Sequence, residues 1–184
     1  MTDNLDGLFS PFLRDRRIKA ARPFLQGSVL DYGCGIGLVG AFVEQKDYVG
    51  VDIDQSVLAI ARQNYPAARF YTPQEFRSQI ALTFDTIVGL AIVEHVDDPL
   101  DFLSEMAARL SPSGRIVLTT PHPSLEWILH VGDKLGLFSK ASHEEHNVIL
   151  DRKLVFELAR KAGLTTIIYK RFLLGANQLI VFEI

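Results

Sequence analysis

The sequence predicts an α/β fold, a doubly wound and mostly parallel sheet with helices on both faces. Three observations predict it. Short apolar runs of strand character alternate with stretches of helical period along most of the chain, and such alternation implies right-handed βαβ units. A glycine-rich turn, Gly33-Cys34-Gly35-Ile36-Gly37, directly follows the first apolar run. The last two strand-like runs are separated only by residues 172–177, too short for a helical crossover, so they run antiparallel.

Taken in order, the elements begin with a helix over 11–25, with Ser10 as N-cap and Pro11 at its first position. A strand over 28–32 leads through the glycines into a helix over 38–45, then a strand over 48–53. A helix over 55–64 stops before Pro66. A short strand over 68–71 and a brief helix over 75–80 follow. Residues 84–90 are apolar almost throughout, as in a strand buried on both faces. In 99–110, Leu100, Leu103, Met106, Ala107 and Leu110 share one helical face. Ser111-Pro112-Ser113-Gly114 is a turn before a strand over 115–120. Residues 121–150 are less regular. A helix over 151–162 ends at Gly163, and strands over 165–170 and 179–184 close the chain.

At 184 residues, 48% hydrophobic and 22% charged, the chain suits one domain, 1–184, with a substantial core. Within it, 1–26 is an N-terminal helical segment and 121–150 a lid-like insertion. A net charge of −3 gives no electrostatic footprint for nucleic acid. The polar N-terminus lacks the basic start and apolar run of a signal peptide, and no apolar run reaches the length of a membrane span. The lone cysteine, Cys34, has no internal disulfide partner. A cytoplasmic protein is expected. Between two glycines, Cys34 reads as a small packing residue rather than a nucleophile.

The glycines carry chemistry. Gly33, Gly35 and Gly37 let the backbone turn sharply and let a ligand lie against it with no Cβ in the way. The second strand ends in Asp52-Ile53-Asp54, where a carboxylate can accept hydrogen bonds from both hydroxyls of a ribose. A nucleoside-containing cofactor is implied. Gly35, Gly37 and Gly40 also satisfy the dinucleotide pattern Gly-x-Gly-x-x-Gly, so an oxidoreductase stays open at this point.

The segment Asp31-x-Gly33-x-Gly35-x-Gly37 resembles the signature of class I S-adenosylmethionine-dependent methyltransferases. The resemblance continues through Phe84-Asp85, through Glu94-His95-Val96-Asp97-Asp98-Pro99, the turn 110–115 and Thr119-Thr120-Pro121-His122-Pro123, segments similar to those of small-molecule methyltransferases such as the ubiquinone-biosynthetic O-methyltransferases. It implies a Rossmann-like, seven-stranded sheet of order 3-2-1-4-5-7-6 with the last strand antiparallel. It implies S-adenosyl-L-methionine as cofactor and a small-molecule acceptor, and the available histidines favour O-methylation. It also weakens the oxidoreductase reading. There is no room for a further substrate domain, and none of the five tyrosines has Lys four residues on.

By the same resemblance, Asp31 orients the glycine loop and the methionine amino group, Asp52 holds the ribose, Ile53 packs on the adenine, and Leu90 with Ala91 lines the transferred methyl. Asp54 reads instead as a helix N-cap. The adenine contact after the third strand, often an Asp, has no acid here; Thr72 or Gln74 stands nearby. A base matters only if the acceptor is a hydroxyl that must lose a proton, and histidine suits that work. Candidates are His95 after the fourth strand, His122 at the end of the fifth and His146 before the next helix. Each has an ordinary reading too: His95 can be a helix-start residue bonded to backbone. One ubiquinone-type branch binds a divalent metal with an earlier Glu beside this Glu-His pair; Ala91 occupies that position, so no metal is expected. His143 and His146 have His-x-x-His spacing without cysteine, a weak zinc signal.

Residues 121–150 include Leu125, Trp127, Ile128, Leu129, Val131, Leu135, Leu137 and Phe138. They make either an apolar acceptor lid or a face packed on the core or on a second subunit, as in a homodimer. Arg14, Arg16, Arg17, Lys19 and Arg22 read as a solvated helix face, or as a contact for an anionic acceptor or membrane surface. The expected function is methyl transfer to a small molecule. A catalytically silent cofactor-binding regulatory protein is the second class of reading, and a dinucleotide-dependent oxidoreductase the third.

Overall fold

The computed structural model describes residues 4–79, 81–123 and 150–184, with side chains described from residue 11 onward. The elements are α1 (Asn4–Ala21), β1 (Val29–Tyr32), β2 (Tyr48–Val51), α2 (Gln55–Asn64), β3 (Arg69–Tyr71), α3 (Pro73–Arg77), β4 (Phe84–Leu90), α4 (Pro99–Ala107), β5 (Leu110–Pro121), α5 (Arg152–Lys161), β6 (Thr165–Phe172) and β7 (Asn177–Glu183). The seven described strands form one sheet of order β3-β2-β1-β4-β5-β7-β6. The first five pair in parallel. β7 is antiparallel to both β5 and β6. The predicted topology is the observed one.

Alternation along the strands divides the core. On one face, Leu30, Val49, Val51, Ile87, Ile116, Leu118, Ile180 and Phe182 pack against α3, α4 and α5 through Phe76, Phe102, Leu103, Met106 and Val155. On the other, Val29, Tyr48, Val88, Val117, Leu179 and Val181 pack against α1 and α2 through Ile18, Ala21, Leu58 and Ala61. Both faces of β1, β2 and β4 are therefore covered, which matches their nearly continuous apolar sequence.

Three elements differ from expectation. The helix expected over 38–45 is two short 3-10 turns, Leu38–Phe42 and Gln45–Asp47. Gly37 starts the first turn with φ 82°, and Gly40 N–H bonds back to Gly37 O at 2.9 Å. Glycines at both places and β-branched Val39 and Val43 disfavour an α-helix, so no α-helix N-terminus stands behind the glycine loop. The first helix begins at Asn4, with Pro11 inside it, and ends at Ala21 before a 3-10 turn, Arg22–Phe24; Pro23 restricts the residue ahead of it. The turn at 111–114 is absorbed into β5 as an irregularity, because Phe84 pairs with Leu110 while Thr86 pairs with Arg115.

Helix starts are fixed by side-chain caps at Asp54, Thr72, Asp98 and Asp151. Asp98 accepts from Leu100 N at 2.7 Å and Asp101 N at 3.2 Å, with Pro99 at the first helical position. Asp98→Ala is expected to cost about 1 kcal/mol of stability, read as a lower denaturant midpoint at unchanged slope.

Candidate functional site

The sheet order reverses at β1, which lies between β2 and β4. A crevice forms outside the carboxyl ends of the strands at such a switch point. The glycine loop leaves β1 into it. Gly33 N–H and Cys34 N–H both donate to Val51 O, at 2.8 and 3.0 Å, and tie the loop to the end of β2. Gly33, Gly35 and Gly37 have φ of 80°, 52° and 82°, values that favour glycine. A Cβ on Gly33 would lie 3.0 Å from Ile92 Cδ1, whereas one on Gly35 would meet nothing within 4 Å. The backbone at Gly35 therefore faces open space.

Asp52 stands directly across the loop. Its Oδ2 accepts from Gly35 N–H at 2.7 Å and its Oδ1 from Asp54 N–H at 3.0 Å. Asp54 turns away and caps α2 through Ser56 N–H at 2.8 Å. Ile53 projects outward, 82% exposed. A cavity of about 240 Å³ is lined by Asp31, Gly33, Gly35 and Leu90 and by Arg14 and Ile18 of α1.

Asp31 is buried, and Tyr48 Oη donates to its Oδ2 at 2.7 Å. Burial pushes the Asp31 carboxyl up to about 7; the Tyr48 bond acts against that shift and the Asp52 charge adds to it. Burial, together with the Asp31 and Asp52 charges, pushes the Cys34 thiol far up as well. A protonated buried thiol is inert, in keeping with its packing role.

Beyond β4 the chain turns at Ala91, whose φ is 57°, and whose N–H donates to Thr119 O at 2.7 Å. A non-glycine residue held in this region marks stored strain of the kind found at functional sites. The turn delivers Glu94 and His95 on a 3-10 turn, Val93–His95. His95 is exposed. Glu94 is buried, and desolvation raises its pKa against the influence of its own backbone amide and of Arg17 and His95. Glu94 Oε2, Thr119 Oγ1 and Thr120 Oγ1 are buried without a hydrogen-bond partner among the described residues. Arg17 Nε donates to Asn177 Oδ1 at 3.0 Å. His122 N–H donates to Ala176 O at 2.9 Å. Burial, then Arg171, lowers the His122 pKa, with Asp151 acting the other way.

Of the sequence-predicted residues, Asp31, Gly33, Gly35 and Leu90 share the cavity. Asp52 adjoins it through the Gly35 bond and Ile53 follows Asp52. Gly37 lies behind, at the start of the 3-10 turn. His95 and His122 stand at the ends of β4 and β5. His146, His143 and the apolar residues from Leu125 to Phe138 lie outside the described residues. Among the described residues, no three His, Cys, Asp or Glu side chains group as a metal site requires. Also among them, no helix is long and apolar enough to cross a membrane. Sequence reasoning missed Ile18 and Tyr48, placed Arg14 only within a basic run, and named Glu94 only within the Glu-His pair. The basic run on α1 is not one solvated face: Arg14 and Ile18, four residues apart, face the cavity, Arg17 turns inward, and Lys19 pairs with Asp15 at 2.9 Å. That i, i+4 spacing was the available signal.

Residues 8–168 match the family model described as a methyltransferase domain. The chain is 30% identical over 174 residues to the ubiquinone biosynthesis O-methyltransferase of Cereibacter sphaeroides, covering 82% of this chain and 65% of that protein. It is 35% identical over 108 residues to the ribosomal protein L11 methyltransferase of a Janthinobacterium species, covering 54% of this chain and 34% of that one. Among solved structures, the magnesium protoporphyrin IX methyltransferase of Synechocystis with bound SAH superposes with a TM-score of 0.69 at 14% identity, covering 93% of this chain and 83% of that one. The last likeness is one of fold.

Proposed function

This chain belongs to the methyltransferase-domain family, in the class I S-adenosylmethionine-dependent group, and from that premise we propose that it transfers a methyl group from S-adenosylmethionine to a hydroxyl of a small-molecule acceptor. The observation that carries the reading is the open space at Gly35, whose N–H is held by Asp52, on a cavity that Asp31, Leu90 and Arg14 also line. A nucleoside amino acid fits that donor set. Asp52 takes the ribose hydroxyls and exposed Ile53 the adenine face. Asp31 takes the ammonium and Arg14 the carboxylate of the methionine part. When bound, the cofactor supplies an activated methyl group, so the hard chemistry is not the protein's.

What the chain's residues contribute is alignment and proton handling. Leu90 and Ala91 form an apolar wall that fixes the line of approach, a proximity effect. His122, at the end of β5, is the candidate proton acceptor. Its lowered pKa keeps the imidazole neutral near pH 7, the form that takes a proton from a hydroxyl. His95 and His146 are the alternatives for the same role. Relatives named as ubiquinone biosynthesis O-methyltransferases support an oxygen acceptor. The protein works in the cytoplasm and without nucleic acid.

The test is methyl transfer from labelled S-adenosylmethionine to a panel of phenols and catechols. Product is expected with the wild type. His122→Asn is expected to lower kcat by about 10²-fold or more while cofactor affinity stays within about twofold. Product formation by neither protein, with cofactor still bound, would favour a silent cofactor-binding role.

A further inference from the structure

Asp31 and Tyr48 belong to adjacent strands, and the register explains how they meet. Val29 pairs with Tyr48 and Asp31 with Gly50. Tyr48 therefore sits diagonally from Asp31 on the same sheet face, and the residue directly opposite Asp31 has no side chain. The Tyr48 phenol reaches Asp31 Oδ2 at 2.7 Å, with both residues almost wholly buried. The ring is held from three sides. A Cβ on Gly40 would lie 3.0 Å from it, and Tyr65 and Phe70 pack edge-on at centroid distances of 6.1 and 5.8 Å. Burial and the Asp31 charge raise the Tyr48 pKa well above its ordinary value, so the phenol keeps its proton and acts as donor.

We propose that Tyr48 is a positioning residue, holding Asp31 oriented and charged so that it receives the ammonium group of the cofactor's amino acid. The inference rests on the cofactor reading above. Asp31 is the only acidic side chain on the cavity wall, among the described residues, and Arg14 the only cation. The other titratable groups near Asp31 are Cys34 in the loop and Asp52 beyond β2, with Arg62 of α2 acting on Cys34 and Tyr65 on Tyr48. Burial and Asp52 both favour the neutral acid, whereas the Tyr48 bond favours the carboxylate. With the hydroxyl removed, only the upward influences remain. Asp31 would then take up a proton at neutral pH, and the ligand's ammonium would lose its counter-charge.

The experiment is calorimetric titration of the full chain and of Tyr48→Phe with two ligands, S-adenosylhomocysteine and 5′-methylthioadenosine, which lacks the amino acid. The range is about pH 5.5 to 7.5, below the titration of the ligand's own ammonium. Wild-type affinity for S-adenosylhomocysteine is expected to fall as pH drops below about 7, following Asp31. In Tyr48→Phe the decline should already be under way across the whole range, displaced by about one pH unit, giving a loss of about fivefold at pH 7 that approaches about tenfold towards pH 5.5, the worth of a hydrogen bond to a charged group. Affinity for 5′-methylthioadenosine should be unchanged by pH or by the variant. Asp31→Asn supplies the second arm: weak and pH-independent S-adenosylhomocysteine binding, with methylthioadenosine again unchanged. Equal weakening of both ligands in Tyr48→Phe, with the pH profile unmoved, would overturn the proposal and leave Tyr48 a packing residue. If the wild type bound neither ligand, the cofactor reading itself would fall, and this inference with it.

Discussion

Asp52→Ala is expected to weaken S-adenosylmethionine binding about a hundredfold, near 3 kcal/mol, with little change in stability. The carboxylate has two tasks. It anchors the glycine loop through Gly35 N–H at 2.7 Å and its own turn through Asp54 N–H at 3.0 Å, and in the proposed cofactor complex it accepts from the ribose hydroxyls. Hydrogen bonds to a charged group contribute about 1.5–3 kcal/mol each, so losing a ribose contact and the loop anchor together accounts for the size of the effect. The fold should survive, because Asp52 lies past the last residue of β2 and is half-exposed. Calorimetry reads the affinity, and a thermal melt shifted by only a few degrees would assign the loss to the site.

Gly50→Ala is expected to have the opposite profile, a loss of about 2 kcal/mol in stability. A Cβ there would sit 2.6 Å from Phe70 Cδ1 and 2.8 Å from Cys34 Sγ. Both neighbours are buried, and a close-packed interior cannot yield without moving something. For a chain of this length the cost corresponds to roughly 4–8 °C in Tm. The displaced groups matter as well. Cys34 lies within the glycine loop and Phe70 packs on Tyr48, so some cofactor affinity should go with the stability. A melt unchanged within about 1 °C would contradict the packing account.

The contrast between these sites explains what the sequence could disclose. Gly33, Gly35, Gly37 and Asp52 were legible because backbone conformation and strand-end position demand those residue types locally. The antiparallel β6–β7 pair was legible because loop length alone forbids a crossover. Tyr48 was not. An aromatic residue opening a strand reads as ordinary core, and only the β1–β2 register brings its hydroxyl to Asp31. Arg14 was hidden among four other basic residues on the same stretch, since a charge on a helix says nothing of which way that helix docks. The expected helix after Gly37 failed because Gly40, counted toward a phosphate-type motif, instead lets the backbone approach the Tyr48 ring. The burial of Glu94 was hidden because burial of a carboxyl at a strand end depends on what α1 and β5 place around it.

The most direct measurement is calorimetric titration of the wild-type chain with S-adenosylmethionine, S-adenosylhomocysteine and NADH. The account predicts about micromolar binding of both sulfur cofactors and none of NADH. Binding of NADH in their place would contradict it and return the glycine loop to the dinucleotide reading.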